Sequence, residues 1–231
     1  HMRHTIAFAA VVASATLNAQ YGTFDKKAVA TSKGSATIIL RDATDSPYSR
    51  DLMNAVKANW KFTADPEFGT AIPHLEKVQL DPMKTYLMKL RKSDPEKHDA
   101  TFLALVQGWK MKKGETLKVE NNAVTNVPPE QELASIMVDD KMLSGDGSAM
   151  LNIYVKTLQD YLKQVESGKI ADKSTADRLY ASRNRLVKDM ELWLAKDQLD
   201  KSLPDLAAMK QTYTHEVKLT DYAQEMAAAA K

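Results

Sequence analysis

The chain has 231 residues, 44% of them apolar and 27% charged, with a formal net charge of +2. That balance supplies a sizeable core and argues against nucleic-acid binding through an extended basic surface. Without a single cysteine, disulfide frameworks, thiol nucleophiles and thiolate metal sites are excluded.

Met2–Gln20, "MRHTIAFAAVVASATLNAQ", opens on a basic Arg3, runs apolar and small to Leu17, and ends in small residues. This is the pattern of a secretory signal, and the run is shorter than the ~20 apolar residues of a membrane span. Residues 1–19 are therefore expected to be a signal peptide, with His1 a cloning remnant, and the exported chain to start near Gln20 or Tyr21. The expected address is periplasmic, outer-membrane-associated or extracellular. Residues 20–35 are polar and read as an irregular lead-in to a single domain over 36–231.

"ATIILRD" (Ala36–Asp42) reads as a buried strand. In the helix that follows, Ser46 can cap the first turn, Pro47 fits the first helical position, and Leu52, Ala55 and Val56 form an apolar stripe. "WKFT" reads as a short second strand, completing a βαβ unit. Lys84–Arg91 and Thr101–Met111 read as an antiparallel hairpin around the polar turn "SDPEKHD". Residues 112–131 read as loop, and "LASIMVDD" is of undecided type. Leu151, Tyr154, Val155, Leu158, Leu162 and Val165 mark the clearest amphipathic helix. "MELWLAK", "DQLDKSLPDLAAMKQTYT", "HEVKL" and "TDYAQEMAAAA" then read as strand, helix, strand and final helix, with Thr220 placed to cap the last. The fold class is α/β, a mixed, mainly parallel sheet with flanking helices and an inserted antiparallel hairpin.

The order "ATIILRD", "VKANWKFT", "KTYLMKLRK"/"ATFLALVQGW", "IYVKTLQDYL", "MELWLAKDQL" resembles a group of uncharacterised exported Bacteroidota proteins over roughly residues 36–230. The resemblance implies a Rossmann-like fold and an address outside the inner membrane. It brings no catalytic residues.

Two stretches offer candidate sites. In "SGDGSAML", Gly145, Asp146, Gly147 and Ser148 form a glycine-rich turn ahead of a helix, a candidate ligand loop. A dinucleotide fingerprint needs a third glycine where Met150 stands, and Asp146 would repel a phosphate, so the simpler reading is a turn in which Asp146 or Ser148 caps the helix. In "LRDATDSPY", Asp42 and Asp45 stand past a strand end, where open α/β sheets place ligands. They are candidates for Mg²⁺ binding or for a nucleophile in phosphoryl transfer. Their D-x-x-D spacing is not that of aspartate-dependent phosphatases, no partner lysine is identifiable from sequence, and a turn capping the next helix is the competing reading. Asp139 and Asp140 with Asp146 lack the ladder of a calcium loop, and His74, His98 and His215 lack zinc spacing. No cofactor is implied. Trp60, Trp109 and Trp193 read as packing residues.

These readings lead to a non-catalytic exported protein that binds an envelope protein or a small ligand. No nucleic acid and no stable membrane span enter this reading, and oligomerisation is open. The alternatives are a hydrolase of phosphate esters or envelope polymers using Asp42 and Asp45, and a structural or assembly subunit.

Overall fold

The computed structural model describes residues 21–42, 45–64, 66–77, 79–94, 97–138, 147–183, 192–196, 199, 205–212, 216–221 and 223–224. The signal-like segment and most of the expected final helix lie outside these residues.

The protein is α/β, with a mixed sheet. β1 (Ala36–Arg41) leads through α2 (Pro47–Asn59) to β2 (Glu67–Ala71), which pairs parallel to it. β3 (Lys84–Asp94) lies parallel on the other side of β1. β4 (Lys97–Gln107) returns antiparallel to β3, completing the expected hairpin from Thr85↔Gln107 to Asp94↔Lys97. β5 (Val119–Glu120) and β6 (Ala123–Val124) form a small hairpin inside the expected loop, and β6 joins β3. β7 (Glu132–Met137), the run of undecided type, adds antiparallel to β4 and ends the order β2-β1-β3-β4-β7. β8 (Leu192–Ala195) and β9 (Val217–Thr220) make a separate parallel pair, with α5 (Leu206–Thr212) between them in sequence. Among the described residues four of these seven pairings are parallel, which makes the strand pairing mainly parallel.

Alternation along the central strands creates two cores. Ile39, Leu87, Leu103 and Leu105 face α2 and α3 (Ser148–Glu166), whose Leu151, Val155, Leu158, Leu162 and Val165 are all buried. Leu40, Met88, Leu90, Ala104 and Val106 face the other way, beneath Ile72, Leu75, Trp109 and Leu117. That second face is covered by a 3-10 turn (Ile72–Lys77) and the loop beyond β4, whereas the long helices share the first face.

Three expectations change. The expected lead-in contains α1 (Lys26–Lys33), capped by Asp25, whose carboxylate accepts the Lys27 and Ala28 N–H groups at 2.8 and 3.2 Å. Only Val29 and Ser32 of this helix are buried, too few to print a period, and packing on α3 stabilises it. "WKFT" is not a strand. Trp60 and Phe62 meet edge to face at 6.0 Å, and the Trp60 indole N–H donates to Thr63 Oγ1 at 3.0 Å. Thr63, Thr37 and Thr85 continue that chain of buried hydroxyls, at 2.6 and 2.8 Å. The run thus closes the foot of the βαβ unit, and the parallel strand comes seven residues later. The loop over 112–131 folds its middle into β5 and β6 because Asn121 and Asn122, at φ 49° and 59°, supply a two-residue left-handed turn. A further helix, α4 (Lys173–Arg183), follows α3 in a stretch for which the sequence offered no element.

Candidate functional site

The open sheet reverses its winding between β1 and β3, since α2 carries the chain from β1 to β2 on one side while β3 occupies the other. Ligands of open α/β sheets bind outside strand ends at such a point. Asp42 emerges there, and β3 supplies the lysine that the sequence did not reveal. Lys89 Nζ lies 2.6 Å from Asp42 Oδ1, with the two side chains only 3% and 9% exposed. Ser46 donates to Asp42 Oδ2 at 3.2 Å, while its oxygen accepts the Ser49 N–H at 3.1 Å as the cap of α2. Asp42 N–H in turn donates to Ser49 Oγ at 3.1 Å. The Lys89 ammonium also sits 4.4 Å from the centre of the Tyr48 ring. Tyr48 is fully buried and its hydroxyl has no hydrogen-bond partner among the described residues; burial and then the Asp42 carboxylate push its phenol far upward.

Asp45 does not join this cluster. Its side chain is 81% exposed and faces Arg50 at 3.6 Å. The structure thus does not bring the two strand-end carboxylates together. Asp42 is committed to a lysine and a helix cap, and Asp45 belongs to the surface. Ser46, the expected cap of α2, is the cap.

At the glycine-rich turn, Gly145 and Asp146 lie outside the described residues. Gly147 is the N-cap of α3 and brings no side-chain bond to it, and the exposed Ser148 is already the first helical residue. The expected Ser148 cap is thus replaced by a buried glycine. Asp139 and Asp140 also lie outside the described residues. Among the described residues no three histidine or carboxylate side chains gather as a metal would require.

A second location was not singled out by sequence. Tyr21, Tyr161 of α3 and Tyr180 of α4 stack in series, with Tyr21 6.0 Å from Tyr161 at 8° and 6.1 Å from Tyr180 at 11°. Together with Ser135, Ile136 and Met137 of β7 and Thr157 and Leu158 of α3, they line a groove of about 300 Å³. The Tyr21 hydroxyl donates to Asp177 at 2.8 Å, and that of Tyr161 to the Thr23 carbonyl at 2.9 Å. Arg183 pairs with Asp160 at 2.5 Å and lies 5.3 Å from the Tyr180 ring centre.

The tyrosines remain neutral at ordinary pH. Burial and the hydrogen bond to Asp177 push Tyr21 up to about 12; burial and the Asp160 carboxylate do the same for Tyr180; burial also raises Tyr161. Asp177 is held below the usual range by Lys173 and the Tyr21 hydroxyl. The lining is consequently uncharged: aromatic faces, hydroxyls, and Met137 with 63% of its surface exposed. Among the described lining residues no side chain is an activated nucleophile. The legible signal was the Tyr154/Tyr161 spacing, which puts both on the buried face of α3, but Tyr21 and Tyr180 come from distant segments.

No family model, no curated protein and no solved structure matches this chain.

Proposed function

We propose that this is a non-catalytic exported protein of the bacterial envelope that takes a protein partner or small ligand in the tyrosine-lined groove. The observation that carries the reading is the groove itself: a concave, uncharged surface of about 300 Å³ with three stacked rings and an exposed methionine. Its size lies near the lower end of ligand sites, and its mixture of apolar faces and hydroxyls suits an uncharged amphipathic ligand such as a sugar or an extended peptide. The N-terminal pattern supports the address.

The test is a thermal-shift screen of the chain against neutral sugars, peptides, nucleotides, phosphate and divalent cations, repeated with Tyr180→Ala. A ligand at 100 times its Kd adds about 2.7 kcal/mol, roughly 5–10 °C for a chain of this size. A neutral ligand whose shift disappears with Tyr180→Ala supports the reading. Sugars and peptides that leave the protein unmoved count against it.

A hydrolase using Asp42 is the second reading, favoured by the position of that residue at the winding reversal. It requires the carboxylate to leave Lys89 and Ser46. A shift with phosphate or Mg²⁺ that Asp42→Asn removes, in a variant that still folds, would favour it.

A further inference from the structure

β7 is the last strand of the main sheet, and its outer edge borders the tyrosine groove. Extended backbone already lies on part of that edge. Thr23 N–H donates to the Glu132 and Leu133 carbonyls at 3.0 and 3.2 Å, and Ser135 Oγ donates to the Tyr21 carbonyl at 3.2 Å. Gly22 passes so close that an added Cβ would stand 2.1 Å from the Leu133 oxygen. Passing backwards from Thr23 to Tyr21 advances along β7 from Leu133 to Ser135, so this contact is antiparallel.

The next outward position is Met137. Val138 N–H donates to the Thr101 carbonyl of β4, and in an antiparallel ladder alternate residues bond to the same side. Ile136 therefore bonds inward, while the Met137 N–H and carbonyl point outward. Among the described residues no backbone group meets them, and 63% of Met137 is exposed. A donor and an acceptor turned outward from one edge residue are what an added strand pairs with.

Side chains and charge say which strand fits. Ile136 packs in the same core as Tyr21, Tyr161 and Tyr180, whereas Met137 is paired with Phe102 of the opposite core. Cross-strand neighbours share a face. A residue laid opposite Met137 thus turns its side chain away from the rings, and the residues on either side of it turn theirs toward them. The charges around the rings are already committed, Asp177 to Lys173 and the Tyr21 hydroxyl, and Asp160 to Arg183. A charged ligand side chain finds no counter-charge there, and an apolar one finds aromatic faces. A sugar can lie on those faces, but its hydroxyls do not present an N–H and a C=O at strand spacing, as a peptide backbone does.

We propose that the groove takes a short, uncharged peptide segment of another protein as an added β-strand. The central residue of that segment exchanges backbone hydrogen bonds with Met137, and apolar side chains on either side of it lie against the tyrosines. The inference rests on the groove being the binding site, and it names the ligand class and the mode of capture.

The test is a titration of the full chain with blocked tripeptides, acetyl-X-Thr-X-amide with X as Leu, Val or Phe, followed by NMR at the Met137 amide. Each peptide is compared with two N-methylated forms. Methylation at the Thr removes the N–H that faces Met137, and methylation at the second X alters one that faces away. At least one parent peptide should bind and slow exchange of the Met137 amide. Methylation at the Thr should weaken it about tenfold or more, and methylation at X by less than about twofold. Tyr180→Ala should weaken the parent peptide about tenfold. Equal effects of the two methylations overturn the proposal, because side chains alone would then hold the peptide. A Met137 amide already slow in the dilute free chain overturns it, as does one that slows with rising protein concentration, which puts a second copy on the edge. A neutral sugar that binds in a Tyr180-dependent way while every peptide fails refutes strand addition and leaves the binding reading standing. If Tyr180→Ala changes neither sugar nor peptide binding, the binding reading falls and this inference with it.

Discussion

Replacing Lys89 by methionine keeps most of the volume beside Tyr48 and removes only the ammonium. The attraction lost is large: two unit charges 2.6 Å apart at an effective dielectric near 20 interact by about 6 kcal/mol, much of it offset in the native protein by desolvation. What remains after the substitution is a carboxylate 9% exposed, with Ser46 as its one side-chain donor among the described residues. Breaking a buried pair on one side in this way costs about 3–5 kcal/mol. In a chain of this length that is roughly 6–20 °C in Tm. Urea denaturation followed by tryptophan fluorescence measures the loss directly, since Trp60 sits in the core that α2 covers. Adding Asp42→Asn to the same chain removes the stranded charge, and the double variant should recover a large part of the loss, giving a coupling above about 1 kcal/mol in the cycle. A single-variant loss below about 1 kcal/mol, or strict additivity, would refute the claim that Asp42 is held by Lys89 and is structural in role.

The stacked tyrosines make the folded state sensitive to alkali. Their folded values lie above the ordinary 10, with Tyr21 and Tyr180 near 12, so the folded protein holds more protons than the unfolded chain between those limits. Their contribution is full below pH 10 and is lost as pH rises toward 12; an ultraviolet tyrosinate titration should show these three phenols titrating late, together with the buried Tyr48 and Tyr86. Gly22→Ala forces the N-terminal stretch off the Leu133 carbonyl and should cost about 1–3 kcal/mol, read as a lower Tm with early exchange of the α1 amides. Thr37→Val breaks the buried hydroxyl chain and deprives Thr63 and Thr85 of a partner, for a loss of about 1–3 kcal/mol by denaturant titration, while Thr31→Val on the exposed side of α1 changes little.

What sequence could say depended on how local the determinant was. The cap at Ser46, the proline after it and the period of α3 each act within one or two turns, and each stands where the residues placed it. The hairpin was legible because alternating runs flank a polar turn. "WKFT" misled because its alternation, the mark of a strand, here serves two rings that meet each other and a Thr63 hydroxyl that bonds Thr37, 26 residues away. α4 was silent for the opposite reason. Only Ala176 is buried, and the helix depends on Asp172 accepting the Thr175 N–H at 2.7 Å and on the Lys173–Asp177 pair. Candidate sites fared likewise: Asp42 was visible as a strand-end acid, but its lysine lies 47 residues on, on a neighbouring strand. No local pattern joins Tyr21 to Tyr161 and Tyr180.

The hydrogen bond from Tyr21 to Asp177 spans 156 positions of chain. A ribosome adding roughly 5–20 residues per second needs on the order of 8–30 s to cover that interval. For that time the Tyr21 hydroxyl has been made and lacks its carboxylate, because α4 does not yet exist. The central strands can pair earlier. The tyrosine stack is therefore completed only when α4 is made, after the sheet and α3 that it lies against.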